Sequence, residues 1–194
     1  MGTVSGAGER VRGPAVSTQR FVRPARAEDV EAIVDVQVAA WQEMYHALLP
    51  EPVLAEMAGA EARAAFTAQW RSAVSSPPTS RHRLLVAVDE GAVAGFAAFG
   101  PAQDPDRWPG TDAEIFAFHI APGLTRRGHG SRLLHAVVDH LVDDGFHAVY
   151  VWTLEQANPV RSFLEQAGWA PDGARRELDP GTVVPMVRLH AAIR

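Results

Sequence analysis

The chain has 194 residues and no cysteine, and 47% of its residues are apolar, which suits one α/β domain and excludes disulfides, thiolate catalysis and cysteine-ligated zinc. Its formal net charge is −5, from 18 basic and 23 acidic residues, and this balance argues against a nucleic-acid partner. No apolar run approaches the length of a membrane span and no signal-type segment opens the chain, so we expect a cytoplasmic enzyme with no membrane partner.

The hydrophobic pattern predicts a tail followed by one domain. Residues 1–19 are rich in Gly, Ser and Ala without any hydrophobic period, which predicts a disordered tail before a domain at 20–194. Strands and helices then alternate irregularly along the chain. Strands are predicted at 21–24, 83–89, 92–99, 115–120, 148–154 and 183–191. Helices are predicted at 28–45, 50–57, 60–74, 133–142 and 160–166, and a long loop at 100–112.

The stretch at 113–144 combines an apolar strand, a basic glycine loop and an amphipathic helix. The loop residues are Thr125, Arg126, Arg127, Gly128, His129, Gly130 and Ser131. The first N–H groups of a helix have no intrahelical partner, the helix dipole favours an anion there, and glycine allows a close approach to the backbone. The stretch therefore predicts a phosphate or pyrophosphate site.

Two common phosphate-binding motifs do not fit this loop. A nucleotide-binding P-loop requires Gly-Lys-Ser/Thr, whereas this chain has Gly130-Ser131-Arg132. The dinucleotide fingerprint requires a third glycine at the position of Leu133.

The strand, loop and helix resemble the central motif of the GNAT superfamily of acyl-CoA-dependent N-acetyltransferases. Pro122, Gly128 and Gly130 match the motif, while Thr125 stands where the family usually has Gln or Arg. The resemblance implies that the loop amides hold the pyrophosphate of acetyl-CoA, the expected co-substrate. It also implies an α/β fold with a mixed, mostly antiparallel sheet of about six to seven strands, flanked by helices and splayed between the fourth and fifth strands.

Two other segments extend the resemblance across most of the chain. Trp41, Tyr45 and the Leu48-Leu49-Pro50 run match one branch of the family. Asn158, Phe163 and the Gly168-Trp169 pair match the segment after the fifth strand, with Asn158 about one residue out of register. The resemblance implies that the backbone of Phe118, His119 and Ile120 hydrogen-bonds pantetheine, with Asn158 and Phe163 along the far side of the coenzyme.

Glu114 is the favoured candidate for the general base. It begins the strand before the glycine loop, where several GNAT enzymes carry a carboxylate that acts directly or through water; the alternative is a solvated residue without a chemical role. His119 is the second choice, because its ordinary pKa suits proton transfer. In a regular strand the two side chains lie on opposite faces, unless a bulge changes the alternation.

The remaining assignments concern the acceptor and the leaving group. Trp41 and Tyr45, one helical turn apart, either line an acceptor pocket or belong to the core. Leu164 occupies the position where many relatives have a tyrosine that protonates the coenzyme A thiolate, which leaves water, Ser162 or Tyr150 as alternatives. No metal site is expected, since His135 and His140 do not share a helix face, and the 175–177 segment is interpreted as a solvated turn.

These residues together predict transfer of an acetyl group from acetyl-CoA to a primary amine, on a small molecule or on a peptide or protein, within a ternary complex. A non-catalytic acyl-CoA-binding module is the competing hypothesis. An enzyme that uses another acyl donor or a hydroxyl acceptor is a third. A homodimer is possible.

Overall fold

The computed structural model describes residues 19–156, 158–178 and 183–194. The predicted tail lies almost wholly outside the described residues. The strands are β1 (Arg20–Pro24), β2 (Arg83–Asp89), β3 (Ala92–Pro101), β4 (Asp112–Ile120), β5 (Ala148–Leu154), β6 (Ala170–Leu178) and β7 (Val184–Ala192). The helices are α1 (Val30–Tyr45), α2 (Glu51–Ala58), α3 (Ala60–Ser75), α4 (His129–Asp143) and α5 (Pro159–Gln166).

The strands form one seven-stranded sheet in the order β1-β2-β3-β4-β5-β7-β6. Every neighbouring pair is antiparallel except β4 and β5, which run parallel because α4 carries the chain back between them. The predicted mixed, mostly antiparallel sheet with flanking helices is confirmed. No helix in the described ranges is both long and apolar enough to cross a bilayer.

Apolar side chains cover both faces of the central strands, which explains their continuous rather than alternating hydrophobic pattern. On one face, α4 packs Leu133, Val137 and Leu141 against the sheet, and all three are fully buried. On the other face, α1 and α3 bury Ile33 and Trp70 against β2 and β3. Burying side chains of this size stabilises the fold by about 1.5–3 kcal/mol each.

Strand β6 was not predicted. The 175–177 segment, interpreted from sequence as a solvated turn, lies inside β6 and pairs with β7, so that interpretation is wrong. The strand alternates exposed and half-buried residues and lies at the sheet edge, so its sequence lacks an apolar run. Strand β4 also begins earlier than predicted, at Asp112.

The sheet splits between β4 and β5. The two strands pair only at four positions, from Asp112 opposite Ala148 to Ile115 opposite Val151. Beyond Ile115 the second half of β4 stays paired with β3, while β5 stays paired with β7 through Leu154. The predicted splaying of the fourth and fifth strands is therefore confirmed, and it leaves a slot lined on one side by the backbone of β4.

A bulge in β4 changes which side chains share a face. Ile115 pairs with Phe99 and Ala117 with Ala98, so Phe116 is the extra residue. Ile115 and Phe118, three residues apart, both enter the α4-side core. The expectation from a regular strand, that Glu114 and His119 face opposite sides, is therefore wrong, because the bulge moves His119 to the face that carries Glu114.

Candidate active site

The glycine loop ends in a sharp backbone reversal at the start of α4. Arg126 has φ +61° and Gly128 has φ +81°, and Gly128 caps the helix. A left-handed conformation is cheap only for glycine, which accounts for Gly128 at the cap. The reversal brings Gly130, in the first helical turn, close to Ile120 at the end of β4, whose side chain lies 3.9 Å from a Cβ built on Gly130.

The loop amides have no internal partners. Among the described residues, no main-chain hydrogen bond is donated by the N–H groups from Arg126 to Ser131, and Arg132 is the first to bond back, to the carbonyl of Gly128 at 3.2 Å. Unsatisfied N–H groups together with a helix dipole form an anion site. The side chains of Thr125, Arg126 and Arg127 are exposed around it, and the Thr125 hydroxyl donates to the carbonyl of Pro122.

The side chain of His129 anchors this loop from below. It is 1% exposed, its Nε2 lies 3.0 Å from an oxygen of Asp89, and its Nδ1 accepts a hydrogen bond from Arg132. Acceptance at Nδ1 places the proton of the neutral ring on Nε2. Burial lowers the pKa of His129, partly offset by Asp89. The sequence predicted a role for the backbone of His129 only. Asp89 lies 40 residues upstream, so no local sequence pattern predicts its contact with the ring.

An aromatic pair closes the slot beside the loop. The rings of Phe118, on β4, and Phe163, on α5, stack with centroids 5.9 Å apart. Phe163 also lies against the loop, since a Cβ built on Gly130 would meet its ring at 3.6 Å. The structure thus brings Phe163, Phe118 and Gly130 together at the mouth of the slot.

Asn158 follows the end of β5 and fixes the backbone at the start of α5. Its Oδ1 accepts from the N–H of Arg161 and caps α5, and its amide nitrogen donates to the carbonyl of Gln156 at 3.0 Å. Leu164 points away from the slot and is 1% exposed within the α4-side core.

Glu114 lies where β4 and β5 begin to diverge. It is 7% exposed, and its Oε2 accepts a hydrogen bond of 3.1 Å from the backbone N–H of Gln103, in the loop between β3 and β4. Burial raises the pKa of Glu114, an effect opposed by the Gln103 hydrogen bond. A carboxylate with a raised pKa at the edge of a slot is suited to accept a proton near neutral pH.

The β3–β4 loop (residues 102–111) folds onto the sheet face beside Glu114. Arg188, on β7 and 2% exposed, donates to Asp104, Asp106 and Asp172 at 2.6–2.8 Å. Trp152 Nε1 donates to the same oxygen of Asp104 at 2.8 Å. These contacts hold a polar loop over strands that would otherwise be exposed.

Sequence reasoning missed Arg188 and the acids that it holds. The partners are more than 80 residues apart for Asp104 and Asp106, so no local pattern reports the contact. One signal was present: a single arginine interrupts the apolar strand from Val184 to Ala192, and a charge on a buried strand requires opposite charges nearby.

His119 lies among aromatic rings. Its centroid is 5.4 Å from that of Phe96 and 6.5 Å from that of Trp41, and its Nδ1 is buried with no hydrogen-bond partner among the described residues. Burial lowers the pKa of His119 to about 4. The ring is thus neutral near pH 7 and a weaker base than an ordinary histidine.

The predicted acceptor residues lie in a separate apolar cluster. Tyr45 is 7% exposed and packs with Leu49, Leu154 and Val184, while Trp41 contacts Tyr45 edge-on at 6.3 Å. The cluster joins the end of α1 to the ends of β5 and β7, and Trp41 links it to His119.

The Tyr150 hydroxyl, an alternative proton donor, accepts a hydrogen bond from Arg107. Among the described residues, no group of three or more His, Asp or Glu is arranged to hold a metal.

A mixed sheet that splits beside an amide-lined loop is the arrangement that the sequence resemblance implies for acyl-CoA-dependent N-acetyltransferases. The family model of the acetyltransferase (GNAT) family matches residues 41–169. The chain therefore belongs to the GNAT family and is an N-acetyltransferase of that type.

Individual relatives agree with this placement. The uncharacterized N-acetyltransferase YuaI of Bacillus subtilis (strain 168) is 34% identical over 145 residues, 74% of this chain and 76% of that protein. The PaiA N-acetyltransferase of Thermoplasma acidophilum, solved with coenzyme A, superposes with a TM-score of 0.69 at 16% identity, over 90% of this chain and 99% of that one. YncA of Salmonella typhimurium, a putative acetyltransferase solved with acetyl-CoA, gives 0.65 at 16% identity, over 91% and 95%. Both structures share the fold.

Proposed function

We propose that this enzyme transfers the acetyl group of acetyl-CoA to a primary amine of a small molecule, peptide or protein, by direct attack within a ternary complex. The observation that carries the proposal is the row of unengaged amides from Arg126 to Ser131 beside the split sheet. Those groups suit a diphosphate, and the slot between β4 and β5 suits the extended pantetheine arm. Two structural neighbours were solved with coenzyme A or acetyl-CoA.

The backbone of β4 supplies the groups that orient the thioester. From Phe116 to Ile120 the strand no longer pairs with β5, so its edge on that side offers polar groups to a ligand. An N–H of this edge would polarise the thioester carbonyl and stabilise the developing oxyanion. Phe118 and Phe163 would pack against the arm, and Asn158 would fix the far wall.

Glu114 is the proposed base, acting directly or through water. An amine reaches the slot as an ammonium ion and attacks only after it loses a proton. The raised pKa of Glu114 makes its carboxylate a stronger base than that of an exposed glutamate. His119 now shares this face but is a weak base, so it ranks second.

The departing thiolate requires no tyrosine. A thiol has an ordinary pKa of about 8.5, so its thiolate is a tolerable leaving group near neutral pH. Leu164 is buried in the core and carries no proton to donate. The Tyr150 hydroxyl accepts from Arg107 and keeps its own proton, so water, Ser162 and Tyr150 stay open as proton donors.

The test is a panel of primary amines and of hydroxyl compounds with acetyl-CoA, following the release of free thiol, together with calorimetric titration of coenzyme A. The expected result is saturable coenzyme A binding and thiol release with at least one amine. Binding without thiol release for any amine would instead identify a non-catalytic acyl-CoA-binding module. Thiol release only with hydroxyl acceptors would overturn the choice of acceptor.

A further inference from the structure

Arg188 occupies a position in which it holds three carboxylates at once. Its side chain is 2% exposed and lies beside the rings of Tyr150 and Trp152, which belong to the neighbouring strand β5. Nη1 donates to Asp104 and Asp106, Nη2 donates to Asp106, and Nε donates to Asp172 of β6. All three guanidinium nitrogens are therefore engaged, two of them with the β3–β4 loop.

The same loop covers Glu114. Asp104 is fixed twice, by Arg188 and by Trp152 Nε1. The adjacent residue, Gln103, directs its backbone N–H onto the Glu114 carboxylate at 3.1 Å. Arg107 adds a third fixed point by donating to the Tyr150 hydroxyl. A displacement of Asp104 would therefore displace the N–H that covers Glu114.

Electrostatics explain why the loop needs this arginine. The loop places Asp104 and Asp106 on a face that already carries Asp172 and Glu114, and like charges at such spacing repel. The other charged groups that face Glu114 are Asp104 from the loop, Arg176 from β6 and Arg188 from β7. Without Arg188 the carboxylates would lose their shared counter-ion, and the loop would be driven into water.

We propose that Arg188 is a positioning residue that fastens the β3–β4 loop over Glu114 and so keeps water from its carboxylate. The inference rests on the proposed function for its catalytic meaning, since Glu114 is the base assigned there. The two carboxylates of the loop differ in burial: Asp104 is 17% exposed and Asp106 is 53% exposed. Loss of Asp104 should therefore release the loop more than loss of Asp106.

The experiment compares Arg188→Met, Asp104→Asn and Asp106→Asn with wild type by amide hydrogen exchange across residues 102–111, a measurement that needs no turnover. The Gln103 amide, which is bonded to Glu114, reports directly on the cover over the carboxylate. The matched control is Arg23→Met, which removes a bidentate arginine–aspartate pair, with Asp29, at the distant edge strand β1.

Arg188→Met should speed exchange in the loop by about tenfold or more, with the Gln103 amide among the affected positions. Asp104→Asn should do the same to a smaller extent, Asp106→Asn less still, and Arg23→Met should leave loop exchange unchanged. If Arg188→Met does not fold, the Asp104→Asn and Asp106→Asn double variant decides. A double variant with wild-type exchange in the loop overturns the proposal.

Activity then separates this inference from the proposed function. If the wild-type enzyme releases thiol with an amine, folded loop variants should show a lower kcat, with the KM for acetyl-CoA unchanged. If no amine supports thiol release, the proposed function fails, yet hydrogen exchange still decides whether Arg188 holds the loop over Glu114.

Discussion

Glu114 and His119 lie on the same face of β4, although they are five positions apart, because Phe116 is inserted between the paired positions Ile115 and Ala117. The bulge occurs where pairing between β4 and β5 stops. It therefore directs both candidate bases toward the face covered by α1 and the β3–β4 loop. Their surroundings differ: a polar loop covers Glu114, and aromatic rings enclose His119.

Glu114→Gln should reduce kcat/KM for the amine by about 10²–10⁴-fold, because the amide cannot accept the proton. Affinity for coenzyme A should not change, since the side chain is bonded to the β3–β4 loop and not to the glycine loop. Thiol-release kinetics and calorimetry measure the two effects. The matched control is Glu43→Gln on the exposed surface of α1; equal rates for both variants would remove Glu114 from the mechanism.

The same residue sets the pH dependence. Burial raises the pKa of Glu114, so the basic form is lost at a higher pH than for an exposed glutamate. The acid limb of kcat/KM should therefore lie above the ordinary glutamate value and should disappear in Glu114→Gln.

Gly128→Ala should weaken coenzyme A binding by about tenfold or more, equivalent to about 1.4 kcal/mol. Gly128 holds φ at +81° where the loop enters α4, a conformation that is strained for a residue with a Cβ, so the substitution shifts the turn that carries the loop amides. The control is Gly91→Ala, which has a similar φ of +88° and no atom within 4 Å of its Cβ, in the turn between β2 and β3. Wild-type affinity in Gly128→Ala, measured by titration, would exclude the loop as the diphosphate site.

His119 should make the fold sensitive to mild acid. Its pKa is lowered from 6.5 to about 4 in the folded chain, so protonation favours the unfolded state. The stability that the neutral ring provides is present above pH 6.5 and is lost progressively between about pH 6.5 and about pH 4. Between pH 7 and pH 5 the loss amounts to about 2 kcal/mol.

Urea unfolding at the two pH values measures this loss. Wild type should lose about 2 kcal/mol more than His119→Gln over that interval. His135→Gln, on the exposed side of α4, should behave as wild type. The same pH dependence in all three proteins would show that His119 is not buried as a neutral ring.

Leu164→Tyr should not restore a proton donor. Leu164 is 1% exposed in a close-packed core, so a larger ring there is expected to cost about 1–3 kcal/mol of stability. Leu164→Phe adds the same ring without the hydroxyl and should cost a similar amount. The two variants should differ little in kcat; a clear gain in Leu164→Tyr alone would show that the hydroxyl reaches the slot.

The fold was predictable wherever periodicity and turn chemistry agree. Strand β2 and strand β5 match their predicted bounds, because both are continuous apolar runs between polar turns. The edge strand β6 was not found, since an exposed strand has no apolar period. The bulge at Phe116 was not placed either, because it depends on the pairing of β4 with β3 and no single strand shows it.

The candidate site was partly predictable for a similar reason. The glycine loop is contiguous, so its residues and their backbone role follow from one stretch of sequence. The side chains that support the site come from distant segments: Asp89 lies beneath His129, and Arg188 holds Asp104. Such contacts are set by the order of the strands in the sheet, which a single sequence does not reveal.

The four-residue pairing between β4 and β5 has a consequence for stability. Within the described residues, the β1–β4 half of the sheet is joined to the β5–β7 half by this short ladder and by one flanking main-chain hydrogen bond, from the N–H of His147 to the carbonyl of Thr111. Coenzyme A or acetyl-CoA bound in the slot would contact both halves and so link them. Melting temperature should therefore climb with coenzyme A concentration, and the unliganded enzyme should open first along this seam.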